Sequence, residues 1–338
     1  MNTNISVAEA IKQFYTNNRI NPESYVSDNN MARTHRLDID KFIGKDIFEP
    51  NFMNWINSFD TNHRVFFLNL ISKYTYVNNR EYIYLLNELV DEVIKEISIK
   101  GYDISQVLFI TVESKVKSGG DNIRASLQIG HMNDITKDQI IAAVSKVENE
   151  KIENAKVIVF LDDIIGTGFT TFTNIKNVCE RFANVKIADK ELMIACLYAR
   201  NKAIKDVVKW CRKQNILIKP VYYNELKSCF DNDYIFSQKE LEDAKKIISN
   251  YEKEIDENPK IENKDYFLGF RQSKLLISFS YDTPNNTLCN FWKYSDKSSP
   301  LFPRQTQRRP SVSELRQKKD ANFNNAYKAG RVKNDASN

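Results

Sequence analysis

The chain has 338 residues, of which 42% are hydrophobic and 28% charged, and its formal net charge is +5. These proportions are typical of a folded globular protein and exclude an intrinsically disordered one, and the length suffices for about two domains. The sequence has no apolar run of about 18 residues and no secretory signal at its start, which predicts a cytoplasmic protein without a membrane anchor.

The positive charge is concentrated at the end of the chain. Residues 301–338 contain nine Lys or Arg and three acids, a net charge of +6, so the rest of the chain is close to neutral. Hydrophobic periodicity also stops after Pro300, which predicts a basic, mostly disordered tail. Three interpretations of this tail stay open: a solubilising extension, an arm that binds nucleic acid, or a segment that folds onto a protein partner.

Cysteine and histidine are sparse and widely spaced. The five cysteines include no C-x-x-C pair, and the three histidines are far apart. This pattern predicts reduced thiols rather than disulfides, and it predicts no structural metal site.

The first hundred residues show apolar positions at helical spacing. This spacing predicts a helical N-terminal region over residues 1–100. Its helical stretches are Ile5–Phe14, Asn51–Tyr74 and Glu81–Ile99.

From residue 101 the pattern changes to short apolar runs that alternate with helical stretches. The predicted strands are Val107–Val112, Val157–Leu161, Leu192–Tyr198, Ile216–Val221 and Lys274–Tyr281. The predicted helices are Lys137–Val147, a helix ending near Arg181, Lys202–Lys213 and Glu240–Glu254. This alternation predicts an α/β fold with a mostly parallel sheet flanked by helices. We assign residues 101–240 to the α/β core, and residues 241–300 to a helix and strand that complete the core or a hood over it.

The segment Val157–Ile175 (VIVFLDDIIGTGFTTFTNI) carries the most informative motif. A buried strand leads to two adjacent carboxylates, Asp162 and Asp163, which are suited to accept hydrogen bonds from the two vicinal hydroxyls of a ribose. In an open α/β sheet, ligands bind at the carboxyl ends of the strands. The motif therefore predicts the ribose-binding position.

The second half of this motif predicts a phosphate site. Small residues and hydroxyls are followed by a helix whose first amides have no partner within the helix and lie at the positive end of its dipole. The predicted phosphate-binding residues are Gly166, Thr167, Gly168, Phe169, Thr170 and Thr171.

This motif resembles the signature of the type I phosphoribosyltransferases, which has an apolar run, two acids, two apolar residues, a small residue, Thr or Ser, Gly, any residue, and Thr or Ser. The chain matches it as VIVFL-DD-II-G-T-G-F-T, and only Gly166 is uncommon at its position. The resemblance implies that Asp162 and Asp163 hold the ribose hydroxyls, and that Gly166–Thr171 surrounds the 5-phosphate of phosphoribosyl diphosphate.

The resemblance also implies a pyrophosphate loop and a mobile lid. Glu113, Ser114 and Lys115 follow the first predicted strand, where the loop is expected. The stretch Val116–Arg124 has the glycines and cations of a lid. Lys115, Lys117 and Arg124 would neutralise the pyrophosphate in the transition state, together with Mg²⁺ bound to the substrate. The alternative is an ordinary polar hairpin.

Further strings resemble one divergent branch of this family, the phosphoribosyltransferase-like domain of prokaryotic conflict systems. They are a KSG segment before the motif, Trp55 with Phe59, and TPNNTLCNFW at Thr283–Trp292. With them the resemblance covers about Met53 to Trp292 and implies a role in antiphage defence. Trp55 and Phe59 are expected in the core, and Phe291 and Trp292 are interpreted as packing residues rather than a base-stacking platform.

Other interpretations of the motif fit less well. A Walker B strand needs a phosphate-binding GxxxxGK[ST] loop, which is lacking, and a Rossmann fingerprint places its first glycine directly after the strand. A plain strand end with solvated acids would leave the two adjacent carboxylates repelling each other without a purpose.

Two functions stay open on the sequence alone. The first is a transferase or nucleotide-cleaving enzyme that acts on phosphoribosyl diphosphate or a related nucleotide. The second is an inactive sensor of a phosphoribosyl metabolite, or a regulatory module associated with nucleic acid. A homo-oligomer is compatible with either function.

Overall fold

Parallel strands and helices alternate through the middle of the chain, as the hydrophobic pattern predicts. The computed structural model describes residues 5–22, 43–112, 123, 127, 135–256, 266–294 and 299–304. All these residues belong to one compact unit. The strands are β1 Thr75–Val77, β2 Val107–Thr111, β3 Ile140–Ile141, β4 Val157–Ile165, β5 Glu191–Arg200, β6 Ile218–Leu226 and β7 Ile277–Phe279. The helices are α1 Val7–Asn17, α2 Lys45–Asn57, α3 Arg64–Ser72, α4 Asn79–Ile99, α5 Asn149–Asn154, α6 Phe169–Arg181, α7 Asn201–Lys213, α8 Leu241–Asp256 and α9 Cys289–Trp292.

The central sheet is parallel, with the strand order β3-β2-β4-β5-β6. Within this sheet the first strand along the chain is β2. The next strand, β3, lies on one side of β2, and the chain then crosses to β4 on the other side. The strand order therefore reverses between β2 and β4, and a crevice opens at such a switch point, outside the carboxyl ends of the two strands.

Apolar layers cover both faces of this sheet. On one face α4 packs over strands β5 and β6, and its buried residues share a cluster with alternate residues of β4. On the other face α6 and α7 pack against a second cluster. Since both faces are buried, the strands are almost continuously apolar, as is usual for parallel sheets.

The N-terminal helices share their core with the end of the domain. Helices α1, α2 and α3 form one hydrophobic cluster with residues of α8 and α9 and with Leu301 and Phe302. Trp55, Phe59 and Phe291 are buried in it, as predicted for packing residues. The folded domain thus extends at least to Arg304, because Leu301 and Phe302, which the sequence analysis places in the tail, are needed to fill this core.

Some elements differ from their predictions. Residues 137–147 do not form one continuous helix: two short 3-10 turns, Lys137–Gln139 and Val144–Lys146, flank Ile140 and Ile141, which pair with Phe109 and Ile110 at the edge of the sheet. Two adjacent isoleucines suit a strand as well as a helix, and the open edge of β2 decides between them. The late strand is shorter than predicted, and it pairs in parallel with β1, a strand that the sequence analysis did not predict.

Candidate functional site

Strand β4 carries the two acids past the end of its neighbour. Its pairing with β2 ends at Leu161, which pairs with Thr111, whereas its pairing with β5 continues to Ile165. The sequence analysis predicted that this strand ends at Leu161, before the acids, but the strand continues to Ile165 and includes both of them. Asp162 and Asp163 therefore lie where β4 has a neighbour on one side only, at the switch point of the sheet.

A tight turn connects β4 to α6. Gly168 has φ +74°, a conformation that side chains rarely adopt, and a Cβ atom on it would lie 2.7 Å from Val207 Cγ2. Helix α6 begins at the next residue, Phe169. The first amides of α6 thus point away from the helix body at its positive end, which suits an anion.

A later part of the chain closes over this turn, and we call it the closing segment (residues 266–286). Tyr281 Oη donates a hydrogen bond to Asp163 Oδ2. The side chain of Asn286 lies directly against Gly166, since a Cβ atom there would be 2.5 Å from Asn286 Cγ. The Arg271 guanidinium lies 3.8 Å from the ring centroid of Phe169. The closing segment therefore contacts the motif at its acids, at its glycine turn and at the start of α6.

Between the motif and the closing segment lies a cavity of about 1030 Å³. All the predicted ribose- and phosphate-binding residues, from Asp162 to Thr171, line it. The opposite wall includes Tyr281, Asp282, Pro284, Asn285, Asn286 and Arg304. The volume suffices for a phosphoribosyl group and a second group beside it.

The two acids differ in their surroundings. Asp163 has an exposed fraction of only 7%, whereas Asp162 is partly exposed to the cavity. Asp162 Oδ1 accepts a hydrogen bond from the Asp163 backbone N–H at 2.9 Å. Each acid thus has one oxygen engaged, and because Asp162 is the more exposed of the two, it is the better placed to accept hydrogen bonds from a ligand.

Burial raises the pKa of both carboxyl groups. For Asp162 the nearby charge of Asp163 raises the pKa further, to well above its usual range. For Asp163 the hydrogen bond from Tyr281 opposes the rise in pKa. Burial and the charge of Asp163 also raise the pKa of Tyr281, so its phenol stays protonated and remains a donor.

Acidic side chains outnumber basic ones among the described residues of the cavity wall. The described lining residues include the acids Asp162, Asp163, Glu180 and Asp282, against the cations Arg181 and Arg304. An anionic ligand therefore needs further positive charge in this cavity, from a metal ion that it brings with it or from other residues.

The predicted pyrophosphate loop and, apart from Ile123, the predicted lid lie outside the described residues. The predicted roles of Glu113, Ser114, Lys115, Lys117 and Arg124, which all lie there, therefore stay predictions. The last described residue before this loop is Val112, which lines the cavity just after the end of β2. Tyr281, Asn286 and Arg304 were not predicted as site residues, although the TPNNTL string pointed to the loop that contains Asn286.

The match to known families fits this architecture. Residues 52–304 match the family model PRTase-CE, a phosphoribosyltransferase-type domain family. The chain belongs to this family. The match includes the whole sheet, the motif on β4 and the closing segment, and ends at Arg304, the last described residue.

Membership in PRTase-CE confirms the resemblance to the phosphoribosyltransferases and the α/β fold expected from it. A comparison with curated proteins and one with solved structures give no significant match. Within the described residues, no helix is both long and apolar enough to cross a membrane.

Proposed function

We propose that this phosphoribosyltransferase-like protein is an enzyme that acts on phosphoribosyl diphosphate or a related nucleotide. The observation that carries the proposal is the single cavity at the switch point of the sheet. It brings the Asp162–Asp163 pair together with the N-terminus of α6. A ribose 5-phosphate presents two vicinal hydroxyls and one phosphate, which these two features complement.

Each group has a distinct task in this proposal. Asp162 accepts hydrogen bonds from the ribose hydroxyls, and Asp163, held by Tyr281, supports it. The amides and hydroxyls of Gly166–Thr171 hold the 5-phosphate. The bond between the anomeric carbon and the diphosphate breaks, the ribosyl group gains oxocarbenium character, and an acceptor nucleophile or water forms the new bond. The acids orient the ribose and do not transfer protons.

The proposal includes Mg²⁺ carried by the diphosphate. A carboxylate on the cavity wall, as in Asp162, is a suitable oxygen partner for this hard cation or its bound waters. When bound, the ion would neutralise the departing diphosphate. Lys115, Lys117 and Arg124 are proposed to add positive charge on the same side of the substrate.

Calorimetric titration of phosphoribosyl diphosphate with Mg²⁺ tests the proposal. The wild type should bind, and Asp162→Asn/Asp163→Asn should lose most of the affinity, because hydrogen bonds to charged groups contribute about 1.5–3 kcal/mol each. The matched control is Asp91→Asn/Glu92→Gln, which removes two adjacent, exposed acids on α4 and should bind as the wild type does. Equal affinity in all three proteins would contradict the proposed site.

A role in antiphage defence is proposed from the resemblance of TPNNTLCNFW and the KSG segment to the conflict-system branch. If the protein is an effector, its expression should slow host growth or reduce phage plaques, and the Asp162→Asn/Asp163→Asn variant should not. Identical growth and plaque counts for the two proteins would remove this role.

A regulatory binding module is the second candidate. The contacts of Asn286 with Gly166 and of Tyr281 with Asp163 favour it, because a ligand that alters the motif would also move the closing segment. Replacing Lys115, Lys117 and Arg124 separates the two functions. An enzyme should lose turnover and keep ribose 5-phosphate binding, whereas equal loss of both leaves the binding module as the better account.

A further inference from the structure

The last described residue, Arg304, is held in place by a buried anchor. Phe302 is fully buried and stacks on Tyr74, with ring centroids 4.6 Å apart. Its backbone N–H donates to the Phe291 carbonyl at 2.8 Å, and its own carbonyl accepts from Thr283 Oγ1 at 2.8 Å. The chain two residues before Arg304 is therefore held on both sides, which anchors the backbone next to the arginine.

The guanidinium of Arg304 is largely buried but incompletely paired. Its side chain is 12% exposed and lies over the ring of Trp292, 5.3 Å from the centroid. Asp282 Oδ2 is 4.0 Å from Nη2, which is beyond hydrogen-bond distance. No acceptor among the described residues bonds to the buried Nε. A buried donor without an acceptor is costly, particularly on a charged group.

Arg304 lines the same cavity as the motif, together with residues of the closing segment. Its ion-pair partner, Asp282, directly follows Tyr281, which hydrogen-bonds to Asp163. One short stretch of chain thus links the guanidinium to the carboxylate pair, whereas the 5-phosphate position is at the start of α6. An acceptor that enters the cavity would satisfy the arginine.

We propose that Arg304 binds a second phosphate-type anion of the ligand, the diphosphate group, separate from the 5-phosphate at α6. The planar fork of an arginine matches two phosphate oxygens, and an arginine fixed in advance loses little freedom on binding. In the free protein Asp282 holds the guanidinium weakly, and the diphosphate displaces it. This inference rests on the proposed function.

Three probes, each titrated into the protein by calorimetry, test the role of Arg304. Phosphoribosyl diphosphate and pyrophosphate, both with Mg²⁺, contain the proposed anion, and ribose 5-phosphate does not. Arg304→Gln should weaken the first two about tenfold or more, as expected for loss of a charge-assisted hydrogen bond. Ribose 5-phosphate affinity should stay within about twofold, since its contacts lie at α6. Arg304→Lys should recover only part of the loss because it lacks the fork.

Two further variants control this experiment. Arg212→Gln removes an exposed arginine of α7 outside the cavity lining and should bind all three probes as the wild type does. Asp282→Asn removes the carboxylate charge that competes for Arg304 and should tighten phosphoribosyl diphosphate binding, a change that a misfolded protein would not give.

The outcomes separate the inference from the proposed function. If the wild type binds phosphoribosyl diphosphate and Arg304→Gln binds it equally well, the inference is wrong and the function stands. Equal weakening of ribose 5-phosphate would place Arg304 at the 5-phosphate instead and would also overturn it. If the wild type binds neither phosphoribosyl compound, the proposed function fails and the inference fails with it.

Discussion

The contact between Gly166 and Asn286 gives a quantitative test of how the closing segment sits on the motif. In Gly166→Ala, the new Cβ atom would lie 2.5 Å from both Cγ and Nδ2 of Asn286, about 1 Å closer than an ordinary contact. The backbone of Asn286 cannot easily retreat, because its carbonyl accepts from Ser273 Oγ at 2.7 Å and from the Leu275 N–H at 3.1 Å. The Asn286 side chain must therefore shift away from residue 166.

The expected cost follows from two opposing terms. Overpacking of this kind costs about 1–3 kcal/mol. Gly166 does not have a positive φ, so alanine fits its backbone and should stabilise the protein by about 0.4–1 kcal/mol through the unfolded state. Gly166→Ala should thus lower the free energy of unfolding by up to about 2.5 kcal/mol. In an Asn286→Ala background the clash is gone, and the same change should be neutral or stabilising.

Urea unfolding of the wild type, the two single variants and the double variant measures this coupling. The matched control combines Gly166→Ala with Asn285→Ala. Asn285 contributes none of the three atoms nearest to the new Cβ, so removing its side chain should not restore the stability lost in Gly166→Ala. If Gly166→Ala and Asn286→Ala are additive within about 0.5 kcal/mol, the two residues are not in contact and this description of the closing segment is wrong.

Three further predictions follow from the buried ionisable groups. Tyr281→Phe removes the hydrogen bond that lowers the pKa of Asp163, so ¹³C NMR titration should show this carboxyl ionising at higher pH, and an unchanged midpoint would contradict the contact. Burial raises the pKa of Asp162 and Asp163 above about 3.8. The pair therefore contributes stability that is present below that pH and is lost as the pH rises through the pKa values of the folded state. Asp162→Asn/Asp163→Asn should unfold at a higher urea concentration than the wild type at pH 8, and this difference should shrink toward pH 4. Glu252 is fully buried, and burial raises its pKa from 4.5 to about 7, against hydrogen bonds from the N–H groups of Asn290, Cys289 and Leu268 and from the Asn290 side chain. At about 1.4 kcal/mol per pKa unit, the wild type should lose up to about 3 kcal/mol of stability between pH 4.5 and pH 8, and a Glu252→Gln profile just as steep would assign the loss to other groups.

The local sequence was sufficient to predict strands β2, β4, β5 and β6 and the motif, but not the edge strand β3. The strands β2, β4 and β5 are continuous apolar runs because both faces of the sheet are covered, and the turn at Gly168 needs the residue found there. These features depend on residues that are close together in the sequence, so the local sequence pattern predicts them.

The opposite wall of the cavity depends on contacts between distant residues. Tyr281 reaches Asp163 across 118 positions of the chain, and Phe302 enters a core built largely by the N-terminal helices. No periodicity encodes such pairs. The basic composition after Pro300 instead predicted that Arg304 belongs to a disordered tail. Only the burial of Phe302 shows that the folded domain includes this part of the chain.

The most direct test of the central claim is a crystal structure of the protein with phosphoribosyl diphosphate and Mg²⁺. The account predicts the ribose hydroxyls within hydrogen-bond distance of Asp162 and the 5-phosphate on the amides of Gly166–Thr171. A ligand bound elsewhere, with the cavity between β4 and the closing segment left to solvent, would contradict it.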